Sequence, residues 1–167
     1  TSLTPCLTTT RPFSESGQLP PCSTARSTIT EPGFMSLTIA SVTITGAGFV
    51  LQIDCPDLGM GRHIQHADLS LPDWRRKAQL HVEVLNHALR NIPTEQLRMH
   101  LCWGNYEGPH HCDVPLADVI DIVLEAKPMA IALEAANPRH AHEWQLFEAV
   151  KLPAGKLLIP GVIESKS

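Results

Sequence analysis

Four short apolar runs recur along this chain: Phe49–Asp54, Leu97–Cys102, Met129–Glu134 and Lys156–Val162. The stretches between them carry helix signals. Asp73 reads as the N-cap of a helix extending to about Asn91. Its apolar positions Trp74, Ala78, Leu80, Val84, Leu85, Ala88, Leu89 and Ile92 roughly follow a 3.6-residue period, and Pro93 ends it. A second helix is expected from near Pro115, a residue suited to a first helical turn, to about Ala126. A third is expected over about His142 to Val150. The order is β-α-β-α-β-α-β, and crossovers of that length favour parallel strands, so the fold class is α/β. The runs read as almost wholly apolar, the pattern of strands covered on both faces. Two architectures compete, an open doubly wound sheet and part of a (β/α)8 barrel. No Gly-rich phosphate fingerprint follows the first run. Cys55-Pro56-Asp57 stands there instead, which weakens a nucleotide-binding reading.

Residues 1–45 differ from everything after them. They are crowded with Ser, Thr and Pro, carry few charges and show no sustained helical period. Such a stretch buries too little apolar surface to offset its ordering entropy. Residues 1–33 are therefore expected to be irregular or disordered, and the β-branched content of Phe34 to Thr45 predicts a strand. Arg11 and Arg26 among the Ser and Thr residues fit an organelle transit peptide, while Glu15 and Glu31 oppose it. The regular domain is 46–167. The full 167 residues suffice for one domain with a real core. A net charge of -4 and a pI near 6.1 argue against a nucleic-acid surface. No apolar stretch reaches the roughly 18 residues of a membrane span. Five cysteines lack the dense, regular spacing of a secreted disulfide scaffold, which points to a reducing, cytoplasmic compartment. A start at Thr1 and an end straight after an apolar run read as the cuts of a fragment.

Each of the first three runs ends in residues that an apolar core would reject. Asp54 closes the first, with Gln52 on the same face; His100 and Cys102 close the second; Glu134 closes the third. Alternate strand residues share a face, so His100 and Cys102 point the same way with Cα atoms roughly 7 Å apart. Imidazole, thiolate and carboxylate are accepted zinc ligands, and three protein ligands leave a position for an exchangeable group. If that group is a thiol, the ion deprotonates it outright. A free thiol, with a pKa of about 8.5, is only a few per cent thiolate at neutral pH. Zinc would thus supply a nucleophile, and Asp54 could hold a cationic substrate group beside it. Plainer readings stand next to these. Cys102 can be a small buried hydrophobe, Asp54 a turn former, and Glu134 the structural partner of Arg139.

Other groupings carry less. His110, His111, Cys112 and Asp113 are ligand-rich but are expected in a solvated loop. Arg139, His140, His142 and Glu143 are expected to cap the third helix, or to orient the ligands from behind. His63 and His66 fall in a rim loop within reach of a substrate. His81 and His87 read as packing or surface residues, and Tyr106-Glu107-Gly108 as a lid.

At four motifs the chain resembles the cobalamin-independent methionine synthase family, in particular its C-terminal catalytic barrel. They are Leu51-Gln52-Ile53-Asp54-Cys55-Pro56-Asp57-Leu58, Met99-His100-Leu101-Cys102-Trp103-Gly104-Asn105-Tyr106, Leu133-Glu134-Ala135-Ala136-Asn137-Pro138-Arg139-His140 and Ile159-Pro160-Gly161-Val162-Ile163. The resemblance covers roughly residues 45 to 167 and is greatest to the single-barrel members, which also resemble zinc-dependent alkyl transferases acting on coenzyme M. It implies a (β/α)8 barrel, here a partial one of about four βα units. It also implies a zinc that activates homocysteine thiolate to take a methyl group from a methyl-folate, making methionine. By motif, His100, Cys102 and Glu134 match three zinc ligands, and Asp54 matches the acidic residue that binds the amino-acid part of homocysteine. Small-molecule substrates are implied, with no nucleic acid and no membrane.

The chain departs from that pattern in three places. The family's fourth ligand, a Cys on a later strand, has no counterpart here. Ile163-Glu164-Ser165-Lys166 stands where the family carries a proton-handling Asp-x-His. The segment before Gly46 should be a long helix by resemblance, yet it is Ser/Thr-rich and β-branched, as a shifted or wrongly joined reading frame would leave it. A different acceptor thiol, a metal-free decarboxylase-like barrel and a half-barrel without activity are the competing readings.

Overall fold

The computed structural model describes residues 41–106 and 110–164. The disorder expected over residues 1–33, part of the strand expected over 34–45, and most of the expected lid lie outside these residues. Four strands form one parallel sheet: β1 (Leu51–Cys55), β2 (Leu97–Leu101), β3 (Ala130–Glu134) and β4 (Leu157–Gly161). Their order in space is their order in sequence, β1-β2-β3-β4. Between them lie α1 (Gly61–Ile64), α2 (Leu71–Ala88) and α3 (Ile120–Leu124). The register sets Asp54 beside His100, and His100 beside Ala132.

The strands are not apolar on both faces, as the sequence pattern led us to expect. Leu51, Ile53 and Cys55 of β1 are buried, while Gln52 is exposed and Asp54 half-buried. In β2, Leu97, Met99 and Leu101 are buried, Arg98 is exposed and His100 half-buried. This is the period-two alternation of a sheet with one covered face. The covered face packs into the same core as Trp74, Ala78, Val82 and Leu85 of α2 and Ile120 and Val123 of α3. On the other face Gln52, Asp54, His100, Ala132 and Glu134 reach partial or full exposure.

Helix α2 forms because its ends and its stripe agree. Its cap is Ser70, not the expected Asp73: the Ser70 hydroxyl accepts from the Asp73 N–H at 3.2 Å. Pro72 sits in the first turn, where its missing N–H costs nothing. Trp74, Ala78, Val82, Leu85 and Ala88 make the buried stripe. Leu80 and Val84, expected on that stripe, face outward. Two further expectations fail in detail. The second expected helix is a 3-10 turn, Leu116–Asp118, followed by the five-residue α3, and the third is wholly 3-10, Glu143–Glu148. A side chain competes for a backbone group there: the Leu116 N–H donates to Glu143 Oε1 at 2.7 Å. Residues 41–46 are helical rather than strand, so β-branched content misled there. Thr45 Oγ1 instead donates back to the Ser41 carbonyl at 2.9 Å, a bond that a helix permits. No helix among the described residues is long and apolar enough to cross a membrane.

Candidate metal centre

The ends of β1 and β2 are locked together by backbone. The Met60 N–H, just past β1, donates to the Cys102 carbonyl at 3.0 Å. Gly59 permits this approach, because a Cβ there would stand 2.4 Å from the same carbonyl oxygen. Gly104 turns the chain at φ +100, where only glycine is unstrained, against the Met60 side chain. Cys102 Sγ accepts from the Gly104 N–H at 3.4 Å, which fixes where the sulfur points.

Three of the five residues singled out in the sequence converge there. Asp54, His100 and Cys102 are each half-buried, and one ligand atom from each lies within 4.8 Å of the others. His100 Nε2 is 4.0 Å from Asp54 Oδ1. That oxygen is buried and without a hydrogen-bond partner. Burial pushes the Asp54 carboxyl above its ordinary pKa; His100 opposes this and the Asp57 charge adds to it. Cys55, one residue on, turns into the covered face, where burial pushes its thiol well up and leaves it inert.

Glu134 is not part of that close group, although it lies on the same face as Ala132, the register partner of His100. Extending the β2–β3 register by two residues sets it level with Cys102. Its Oε2 is buried without a hydrogen-bond partner, as is Arg139 Nε, and no ion pair joins the two. Gln52 sits one pleat below Asp54, exposed.

A second cluster lies in the loops beyond the strands, and it overturns two expectations. The loop of His110 and Asp113 is not solvated at those residues; both are buried, as are His140 and Glu143. His110 Nδ1 stands 2.6 Å from Asp113 Oδ2, and His140 Nε2 stands 3.1 Å from the same oxygen. The other nitrogen of His140, Nδ1, is 2.7 Å from Glu143 Oε2. From α1, which follows β1, His63 Nδ1 reaches to 3.5 Å from Asp113 Oδ1. Fully buried Trp103, the residue after Cys102, stacks on His140 with ring centroids 4.1 Å apart. Its indole N–H donates to the Val114 carbonyl at 2.8 Å. Tyr106 stacks on His110 at 4.3 Å. Burial alone would lower the His140 pKa, but hydrogen bonds to Asp113 and Glu143, and their charges, lift it to about 9. Burial likewise pushes Asp113 up, and its bonds from His140 and His110 outweigh that and hold it low.

The sequence signal for this cluster was present: His110 and Asp113, like His140 and Glu143, are three residues apart, a spacing that one turn brings together. His81, read as a packing or surface residue, is 3.2 Å from Asp57 Oδ2. No family model, curated protein or solved structure matches this chain.

Proposed function

We propose that this chain carries a thiol-activating zinc centre on four strands of a (β/α)8 barrel. The reaction would resemble that of the 5-methyltetrahydropteroyltriglutamate–homocysteine S-methyltransferases. The observation that carries this reading is the gathering of Asp54, His100 and Cys102 where adjacent parallel strands end. Barrel enzymes keep their chemistry at that end. Consecutive strand order without a reversal supports a barrel over a doubly wound sheet. The polar, uncovered face of the sheet then corresponds to the barrel interior.

In this reading His100, Cys102 and Glu134 hold the zinc, and Asp54, with Gln52 below it, receives the amino-acid part of the substrate. The residues fit the ion. Imidazole, thiolate and carboxylate suit zinc, and buried oxygens of Asp54 and Glu134 lack hydrogen-bond partners that a cation or a cationic group would supply. Zinc bound there supplies the positive charge that keeps an incoming thiol as thiolate at neutral pH. Half-burial of His100 and Cys102 leaves a side through which that thiol can enter. Asp54 would accept hydrogen bonds from an α-ammonium group, whose charge favours the ionised carboxylate against its burial. A thiolate held there would take the methyl group as the bond between methyl carbon and folate nitrogen breaks, with solvent water supplying the proton that the nitrogen gains.

A second reading makes Asp54 itself the third ligand, because it and not Glu134 lies within 4.8 Å of His100 and Cys102. Zinc affinity of Asp54→Asn against Glu134→Gln separates the two: the true ligand's loss weakens binding most. The function itself is tested by adding homocysteine to the zinc-loaded full chain at neutral pH and measuring proton release. Release of about one proton per thiol bound, lost in Cys102→Ala, is expected. No release, or release unchanged in both Cys102→Ala and His100→Ala, contradicts the reading. Methyl-transfer activity retained in Cys102→Ala would favour a metal-free barrel. Competition between homocysteine and coenzyme M identifies the acceptor thiol.

A further inference from the structure

We propose that the loop cluster of His110, Asp113 and His140 is a second metal site, built for a closed, zinc-type divalent ion. One ligand atom from each residue lies within 4.8 Å of the others, and all three residues are buried. Nitrogen and carboxylate ligands in a closed shell are the pattern of such ions.

The hydrogen bonding shows what occupies the position without metal. A carboxylate only accepts, so each ring nitrogen that faces one must carry a proton. Both His140 nitrogens face carboxylates, Asp113 at 3.1 Å and Glu143 at 2.7 Å. His140 is therefore an imidazolium, and its Nε2 proton sits between His140 and Asp113. Asp113 and Glu143 thus set two carboxylates against the one imidazolium of His140 in a buried place. A divalent ion that displaces the Nε2 proton to solvent would add positive charge beside those carboxylates. The hydrogen bond from His140 to Asp113 is replaced by two coordinate bonds.

Three features are already arranged for this exchange. Glu143 binds His140 Nδ1 and is itself held by the Leu116 N–H at 2.7 Å. That carboxylate–imidazole pair fixes the tautomer whose Nε2 lone pair faces the ion. Asp113 Oδ1 is fully buried and has no hydrogen-bond partner. His63 Nδ1, also without a hydrogen-bond partner, stands 3.5 Å from that oxygen and offers a fourth nitrogen. The connections after each of the first three strands, the first through helix α1, thus contribute to one point.

The test is equilibrium dialysis of the metal-free full chain against zinc, with bound metal counted. Cys102→Ser, which disables the centre on the strands, should still bind about one equivalent. Adding Asp113→Asn to it should abolish that equivalent, with folding checked by far-ultraviolet circular dichroism. Glu143→Gln, which keeps the side chain's shape, should weaken binding by about 10–100-fold, as losing a ligand's orienting partner does. A Cys102→Ser chain without bound zinc overturns the proposal, as does affinity unchanged by Glu143→Gln. The strand centre fails separately, if the wild-type chain binds no more zinc than Cys102→Ser.

Discussion

The two clusters, one at the strand ends and one in the connections beyond them, differ in how far they open to solvent and how their polar atoms are paired. In the Asp54–His100–Cys102 group the ligand atoms are close but loosely paired, half-open to solvent, and one carboxylate oxygen is unpartnered. In the His110–Asp113–His140–Glu143 cluster Asp113 Oδ1 is likewise unpartnered, but all four residues are buried and His140 is bonded at both nitrogens. The first arrangement suits an exchangeable ligand and the second a fixed one, the same contrast that separates catalytic from structural zinc. Burial is the physical divider. The open group sits on the uncovered face of the sheet, whereas the sealed cluster lies under stacked Trp103 and Tyr106.

The largest effect that would sharpen this contrast is on stability. His140→Ala leaves Asp113 and Glu143 as buried charges without their cation and should cost about 3–5 kcal/mol, read by urea unfolding of the metal-free chain. Cys102→Ala, at a half-buried position, should leave the unfolding midpoint nearly unchanged. If both variants lose equal stability, the division into open and sealed sites is wrong.

The second effect is on pH. The His140 pKa is raised from 6.5 to about 9 on folding. Its contribution is fully present below 6.5 and is lost as pH rises through about 9. A tenfold gain in proton affinity is worth about 1.4 kcal/mol, so the loss is on the order of 3 kcal/mol. The metal-free wild type should therefore lose stability on this alkaline limb, and His140→Ala should show a flat one. Asp113 acts in the opposite sense. Its pKa is depressed, so its contribution is present above 3.8 and lost as pH falls below that.

Metal affinity at the open group gives the third effect. If Cys102 is a ligand as proposed, Cys102→Ala should weaken zinc there by more than the roughly 100-fold that loss of an outer partner reaches. Competition with a chromogenic chelator would measure it, and an unchanged affinity would rule out Cys102 as a ligand. The smallest effect belongs to Gln52→Ala. Gln52 is exposed, and a surface change away from special features stays within about 0.5 kcal/mol. A larger stability loss would show that this face is covered by something.

The strands were legible in the sequence because a short apolar run closed by a polar residue and a turn leaves little choice of structure. All four lie on the expected runs, with β1 reaching on to Cys55. The capped amphipathic helix was legible for the same local reason, although Leu80 and Val84 show that a lone apolar residue need not face the core. The convergence of Asp54, His100 and Cys102 followed from strand-end logic plus parallel register. The 3-10 turns were not legible, because hydrogen bonds such as that from the Leu116 N–H to Glu143 join residues far apart in sequence. Residues 41–46 were misread because β-branched content is a weak preference that tertiary context overrides. The sealed cluster was missed because His63, Asp113 and His140 come from helix α1 and two separate loops. Their meeting depends on the strand register as much as on their own spacing.

The most direct test of the central claim is a cobalt(II) titration of the metal-free full chain, followed in the near ultraviolet and visible. A thiolate-to-cobalt charge-transfer band should grow to saturation in the wild type and be absent in Cys102→Ala and strongly reduced in His100→Ala. A wild-type titration with no thiolate band, or the same band in Cys102→Ala, would contradict the account.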